Sequence, residues 1–170
     1  YTTLFRSLKN QIELYKKWRD VLQFGSFYRI RSGNTHEWVS VSSDGRRAVA
    51  MLMREKALPN TPNEILRPAG LEPALRYRLS SIESKVEVKR FGSLVNTIAP
   101  FHVKQGSLVH RLINRFIKMP GDSEELISSG SALMAGVKLK QAYIGTGYGD
   151  NTRLYTDFAS RMYFIEAREN

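Results

Sequence analysis

The chain has 170 residues, a normal length for one domain with its own core, and its 42% hydrophobic and 25% charged residues describe a folded globular protein, not a disordered one. It contains no cysteine, which removes disulfides, thiolate metal sites and thiol nucleophiles and fits a reducing, cytoplasmic setting. The net charge of +10, from 26 basic and 16 acidic residues, leaves nucleic acid or an anionic membrane open as partners. The longest apolar run, Ala48 to Met53, is too short to span a bilayer, and no N-terminal stretch reads as a signal peptide. The chain opens on Tyr1 instead of a methionine, so it is expected to be a piece of something longer.

In chain order, Leu4, Leu8, Ile12, Tyr15, Trp18 and Leu22 recur at three- and four-residue spacing and predict one apolar helical face. Gly25 is expected to end that helix as a left-handed cap. The period then changes to two. Phe27–Arg31 and Glu37–Ser42 read as strands, and Asp44-Gly45 predicts a two-residue hairpin. Ala48–Met53 is apolar on both faces and is expected to be central. Prolines at 59, 62, 68 and 73 and Gly70 mark loops and edges. Arg76–Ser80 alternates polar and apolar, and Asp157–Ile165 supplies a last strand. The fold class expected is mainly β, an antiparallel β-sandwich of Greek-key type, with a leading α-helix.

Residues 81–119 break this rhythm. Leu108, Val109, Leu112, Ile113, Phe116 and Ile117 form a helical stripe opening after Gly106-Ser107, so this stretch is read as a helix-bearing insertion. It holds seven basic residues against two acidic ones, half of the chain's net charge. His110, Arg111, Asn114, Arg115 and Lys118 fall on one polar face, which could lie along phosphates or simply meet solvent or an interface.

The residue types that carry chemistry are scattered. His36, His102 and His110 form no close pair, and no Gly-x-Ser-x-Gly elbow is present. The Gly145–Asp150 loop is glycine-rich but opens no helical stripe, so an ordinary turn is preferred over a phosphate cradle. The aromatic residues could stack on sugar faces but more commonly fill a core. A glycosidase needs two carboxylates flanking the scissile bond. Asp20, Asp44, Asp122, Asp150 and Asp157 are spread along the chain, in no context that marks such a pair.

Several segments share a likeness. Tyr15–Ile30, with Gln23-Phe24-Gly25-Ser26-Phe27-Tyr28-Arg29 at its centre, resembles the junction in bacterial α-galactosidases of glycoside hydrolase family 36. There a helix closing the catalytic barrel runs into a Gln-Phe-Gly-x-Phe-Tyr-Arg segment that begins the C-terminal domain. Trp38–Ser42 and the apolar strand after it are similar to the next elements. Gly70–Leu79 resembles the family's Gly-Leu-(Asp/Glu)-Pro…Tyr-Arg step, and Asp157–Phe164 its closing strand. Gly130–Val137 is similar to a Gly-Asp-Glu-Leu-Met motif, with Ser131 and Ala132 in place of the acidic pair.

The resemblance implies a division of the chain and of the work. Residues 1–25 would be a linker helix from the edge of a missing catalytic barrel, and 26–170 a C-terminal β-sandwich domain with insertion 81–119. The family's nucleophile and acid/base are barrel aspartates whose motifs match nothing here. No catalytic, cofactor-binding or metal-binding residue is therefore assigned, and no cofactor is expected. The parent enzyme would hydrolyse terminal α-galactosides of the raffinose and melibiose type with retention. This domain alone would be inactive, stabilising the barrel and supporting assembly of a homo-oligomer. Its expected partners are that barrel and the parent's galactoside substrate, with no membrane or nucleic acid. The alternatives are a carbohydrate-binding β-sandwich module and a basic nucleic-acid-binding domain.

Overall fold

Period-two alternation builds one broad antiparallel sheet. The computed structural model describes residues 2–58, 63–82, 85–94, 96, 104, 106–140 and 157–168. The chain opens with helix α1 (Thr2–Phe24), then strands β1 (Ser26–Ser32), β2 (Thr35–Val41), β3 (Arg47–Arg54), β4 (Ile65–Leu66), β5 (Arg76–Ser81) and β6 (Lys85–Glu87). A 3₁₀ segment (Val88–Leu94), helix α2 (Leu108–Phe116), β7 (Lys118–Pro120) and β8 (Glu125–Ser129) follow. Helix α3 (Gly130–Ala135), β9 (Val137–Lys138) and β10 (Ser160–Ala167) complete it. The main sheet runs β1-β2-β3-β10-β5-β8, and β4-β9 and β6-β7 form two small sheets. Every pairing is antiparallel. The last strand returns to the middle of the sheet, between β3 and β5, as a Greek-key connection does.

Register decides which residues share a face. Val39 pairs with Ala50 and Ala50 with Tyr163, while Val41, Ala48, Ile165 and Leu79 line up across four strands. These residues form one face of the sheet, and Leu66, Leu71, Leu133, Val137 and Leu139 close over it. The second layer of the sandwich is thus the short β4-β9 pair with α3 and the Leu71 loop. On the opposite face, Val49 and Phe164 meet Trp18 and Val21 of α1. Strand β3 is apolar on both sides because it has a layer on each, as its sequence predicts.

Three local expectations need correction. Gly25 does not adopt a positive φ. It is small because an added Cβ would lie 2.4 Å from the Val21 carbonyl and 2.6 Å from that of Val41, where α1 turns into the sheet. The β2–β3 turn occupies Ser42–Arg46 and not two residues, and only Gly45 in it has a positive φ, of 68°. The final strand begins at Ser160, because Asp157 and Phe158 form a turn with Phe158 at φ 55°.

Helix α2 begins where Ser107 predicts, its hydroxyl capping the His110 amide at 3.2 Å. Its apolar stripe does not go inward. Leu108, Val109, Leu112, Phe116 and Ile117 are all exposed, Phe116 by 75%. His110, read from sequence as part of the basic face, is instead buried, and its Nδ1 accepts from the Gly106 amide. Among the described residues no helix is long and apolar enough to cross a membrane.

Candidate functional site

Two of the segments that carry the family likeness, Gly70–Leu79 and Gly130–Val137, meet in space around Tyr77. This residue alternates inward on β5, and its ring is fully buried. Its hydroxyl donates to the Gly45 carbonyl at 2.7 Å and accepts from the Glu72 amide at 2.9 Å. Burial pushes its pKa up, which keeps the hydroxyl neutral and able to donate. Gly130 lies against the same loop, since a Cβ there would sit 2.1 Å from the Glu72 carbonyl and 3.0 Å from the Tyr77 ring. The Gly130 and Ser131 amides donate to the carbonyls of Leu75 and Pro73. The Gly70 and Gly130 motifs are therefore two sides of one backbone joint. Ser131 and Ala132 are exposed beside it, in a short helix capped by the Ser129 hydroxyl.

Helix α1 has two apolar faces, not one. Leu14, Trp18 and Val21 follow a four-then-three spacing and pack on the sheet. The Trp18 ring, 2% exposed, lies 5.0 Å from that of Phe164 and 4.6 Å from the Arg47 guanidinium. Arg47 also pairs with Asp20 at 2.8 Å and donates to the Lys17 carbonyl, while Lys17 pairs with Glu166 at 2.9 Å. The Ser40 hydroxyl donates to the Val21 carbonyl at 2.6 Å. At about 100° per residue, Leu8, Ile12, Tyr15 and Leu22 fall on a second stripe roughly 100° round the helix. All four are exposed, as are Phe24 at the end of the helix and Phe27 at the start of β1. The stripe read from sequence merged the two faces, taking Trp18 with Leu8, Ile12, Tyr15 and Leu22 and omitting Leu14 and Val21.

A second cluster was missed by composition but is marked by strand parity. Arg54 and Arg161 occupy core-side positions of β3 and β10, in phase with Leu52 and Tyr163. An arginine at an inward position asks for a buried partner. Here the Glu64 carboxylate lies between the two guanidinia, bonded to Arg54 Nε at 2.8 Å and to Arg161. Arg161 also bonds Asp122 at 2.9 Å, and Glu124 accepts from the Lys140 amide. Nearby Glu37 accepts twice from the Arg67 amide; burial raises its pKa against that pull. These carboxylates tie loop ends to the sheet and are engaged by guanidinia or amides.

The aspartates considered as a glycosidase pair have separate structural duties. Asp20 pairs with Arg47, Asp44 accepts from Ser42 and Arg46 in its turn, Asp122 pairs with Arg161, and Asp157 accepts from the Ala57 amide. His36 is half-buried and bonds Glu55, whose pKa that contact lowers. His102, Asp150 and the Gly145–Asp150 loop lie outside the described residues. Among the described residues, no group of three or more His, Asp or Glu could hold a metal ion. The candidate functional feature is a surface: the second face of α1.

Residues 35–165 match the family model described as the glycosyl hydrolase family 36 C-terminal domain. The α-galactosidase AgaA of Geobacillus stearothermophilus is 36% identical over 78 residues, 44% of this chain and 11% of that protein. The α-galactosidase Mel36A of Lactobacillus acidophilus is 33% identical over 70 residues, 40% of this chain and 10% of that protein. Among solved structures, the α-galactosidase from Lactobacillus brevis aligns over 100% of this chain and 17% of its own, with a TM-score of 0.61 at 23% identity. AgaA aligns over 99% of this chain and 16% of its own, with a TM-score of 0.58 at 25% identity. It has also been solved in complex with raffinose and with stachyose. The chain spans only about a sixth of the length of these solved enzymes. A match running from the first residue of β2 into β10 covers well over half of the chain, which therefore belongs to the C-terminal domain family of glycoside hydrolase family 36.

Proposed function

We propose that this chain serves as the non-catalytic C-terminal domain of an α-galactosidase acting on terminal α-galactosides of the raffinose and melibiose type. Residues 1–25 are the linker helix from the edge of a catalytic barrel. Residues 26–170 are the β-sandwich domain, with 81–119 as an insertion. The observation that carries this reading is the second apolar face of α1. Its first face is spent on the sheet, and the remaining stripe of Leu8, Ile12, Tyr15 and Leu22 is exposed. Exposed apolar side chains gathered on one helix face mark an interaction site. The relatives are α-galactosidases several times longer than this chain, and one of them has been solved with raffinose and stachyose. Under this reading the barrel supplies the two carboxylates of the retaining reaction, and the domain clamps the barrel's edge through α1. The intact enzyme is a cytoplasmic homo-oligomer.

Complementation tests the reading. The barrel portion of the same gene product is produced alone, then with this chain supplied in trans or with its Ile12→Glu, Tyr15→Glu variant. The chain should raise the barrel's thermal midpoint and its α-galactosidase activity, and the variant should not. A barrel equally stable and active without the chain would overturn the clamp.

A further inference from the structure

Two buried polar groups close to the start of β10 are short of partners. Tyr163 is fully buried on the core side of β10, yet its hydroxyl bonds nothing. Tyr77, buried to the same degree, engages both Gly45 and Glu72 through its hydroxyl. A buried hydroxyl without a partner costs stability, so few are left that way. Burial pushes the Tyr163 pKa up, so at neutral pH the group is an intact phenol. The second group is Glu124, 7% exposed. Its carboxylate accepts from the Lys140 amide and meets no cation among the described residues. The guanidinium of Arg161 is taken up by Glu64, Asp122 and the Lys140 carbonyl. Buried carboxylates are normally paired, so Glu124 is a negative charge that its neighbours leave unbalanced.

Both groups line one cleft of about 230 Å³, between the end of β5, the loop before β8 and the start of β10. Backbone fixes these three segments to one another. Tyr163 pairs with Ser81 across the sheet, the Ser81 amide donates to the Glu124 carbonyl at 3.0 Å, and the Glu124 amide donates to the Ser81 hydroxyl at 2.8 Å. Ile82 and Met162 supply an apolar wall and are partly open to solvent. The lining selects a chemistry. Its charged side chains are two carboxylates, Asp122 and Glu124, against the single guanidinium of Arg161, which disfavours anions and suits one positive charge. A bare metal ion lacks ligands, because among the described residues no group of three or more His, Asp or Glu could hold one. An alkylammonium matches both parts of the wall, with N–H donors for the oxygens and methylenes for the apolar side chains. We propose that this cleft seats the ammonium end of a primary aliphatic amine, which donates to Glu124 and to the Tyr163 oxygen and lays its chain along Ile82 and Met162. No bond is made or broken there. The site is built from the domain's own strands and loops, so it does not rest on the docking of α1.

The test is an amide-resolved NMR titration of the ¹⁵N-labelled chain at neutral pH with n-butylammonium chloride, beside matched titrations with potassium chloride and n-butanol. Each runs to about 100 mM, well above the ~1–10 mM dissociation constant expected of so small a ligand. Progressive shifts should gather on the amides of Ser81, Ile82, Glu124, Met162 and Tyr163 with butylammonium alone. Glu124→Gln keeps an acceptor for the Lys140 amide but loses the charge, and Tyr163→Phe loses the phenol oxygen; each should weaken binding about tenfold. Tyr163→Phe should also melt no lower than the wild type, since the hydroxyl it removes bonds nothing in the fold. If the spectrum of Glu124→Gln is not dispersed, Tyr163→Phe decides. A lower melting midpoint for Tyr163→Phe, no shifts with butylammonium, shifts centred elsewhere, an equal response to potassium chloride or butanol, or variants that bind as the wild type does would each overturn the proposal. Loss of barrel complementation with these shifts intact would refute the domain role and leave the amine site standing.

Discussion

Replacing Trp18 by alanine is expected to release helix α1 from the sheet while the sheet stays folded. The helix is held by few side chains: Trp18 and Val21 are fully buried and Leu14 partly so. At roughly 1.5–3 kcal/mol per fully buried apolar side chain, Trp18 is the largest share of that attachment. Truncating a buried tryptophan costs about 3–5 kcal/mol, of which the ring contact with Phe164 carries ~0.5–1.5 kcal/mol. The Arg47 guanidinium also loses the ring it lies beside, though it keeps Asp20 and the Lys17 carbonyl. What remains is Val21, part of Leu14, the Ser40 bond to Val21 and the solvent-exposed pairs of Arg47 with Asp20 and Lys17 with Glu166. A helix of this length without its packing face is only marginally stable in water. Hydrogen exchange read by mass spectrometry separates the outcomes. Amides of α1 should exchange about 100- to 4,000-fold faster, at tenfold per 1.4 kcal/mol, while β2, β3 and β10 keep their protection. Unchanged protection of α1, or equal loss across the sheet, would refute this account of how the helix is held.

Three further perturbations address other parts of the fold. Tyr77→Phe removes a buried hydroxyl that serves both Gly45 and Glu72. It should lower stability by about 1–3 kcal/mol, seen as a lower urea midpoint with an unchanged slope; an unchanged midpoint would count against the joint. Glu37 has its pKa raised by burial from the ordinary 4.5. A carboxyl raised in the folded state contributes stability below its unfolded value and loses it as pH climbs through the folded one. Glu37→Gln should therefore gain on the wild type in urea midpoint as pH rises from about 3 to 7, and a gap that stays level or reverses would be the wrong sign. On α2, Leu112→Asp with Phe116→Glu should change stability by no more than about 0.5 kcal/mol per site, because both side chains are exposed. A fall of several kcal/mol in the thermal or urea measurement would mean that the stripe is buried.

The sheet was legible because period two survives wherever one face is buried. Arg76–Ser80 reads as alternating and does so in burial from Arg76 to Leu79, and the doubly apolar β3 lies inside the sheet with α1 on one side and the core on the other. Two-residue strands such as β4 and β9 carry no periodicity, and β8 exposes Glu125, Leu126 and Ile127 in succession, so pattern alone does not announce them. Both helices misled for a shared reason. Apolar spacing reports that a face avoids water, not which neighbour covers it. In α1 it blended a face packed on the sheet with one left bare, and in α2 it described a stripe that stays exposed. The close approaches at Gly25, Gly70 and Gly130 were visible only as glycines in motifs. Their cause, backbone or ring within 2.1–2.6 Å of a missing Cβ, comes from residues distant in sequence. Arg54 and Arg161 were the one readable sign of the charged cluster, through their inward parity.

The central claim is that this chain carries a docking domain and leaves α-galactoside chemistry to another part of the enzyme. The most direct measurement is the release of nitrophenol from p-nitrophenyl α-galactoside by the purified chain, at enzyme concentrations far above those used for an intact glycosidase. The account predicts a rate equal to buffer. Turnover above that rate, removed by a substitution within these 170 residues and so not due to a contaminant, would contradict it.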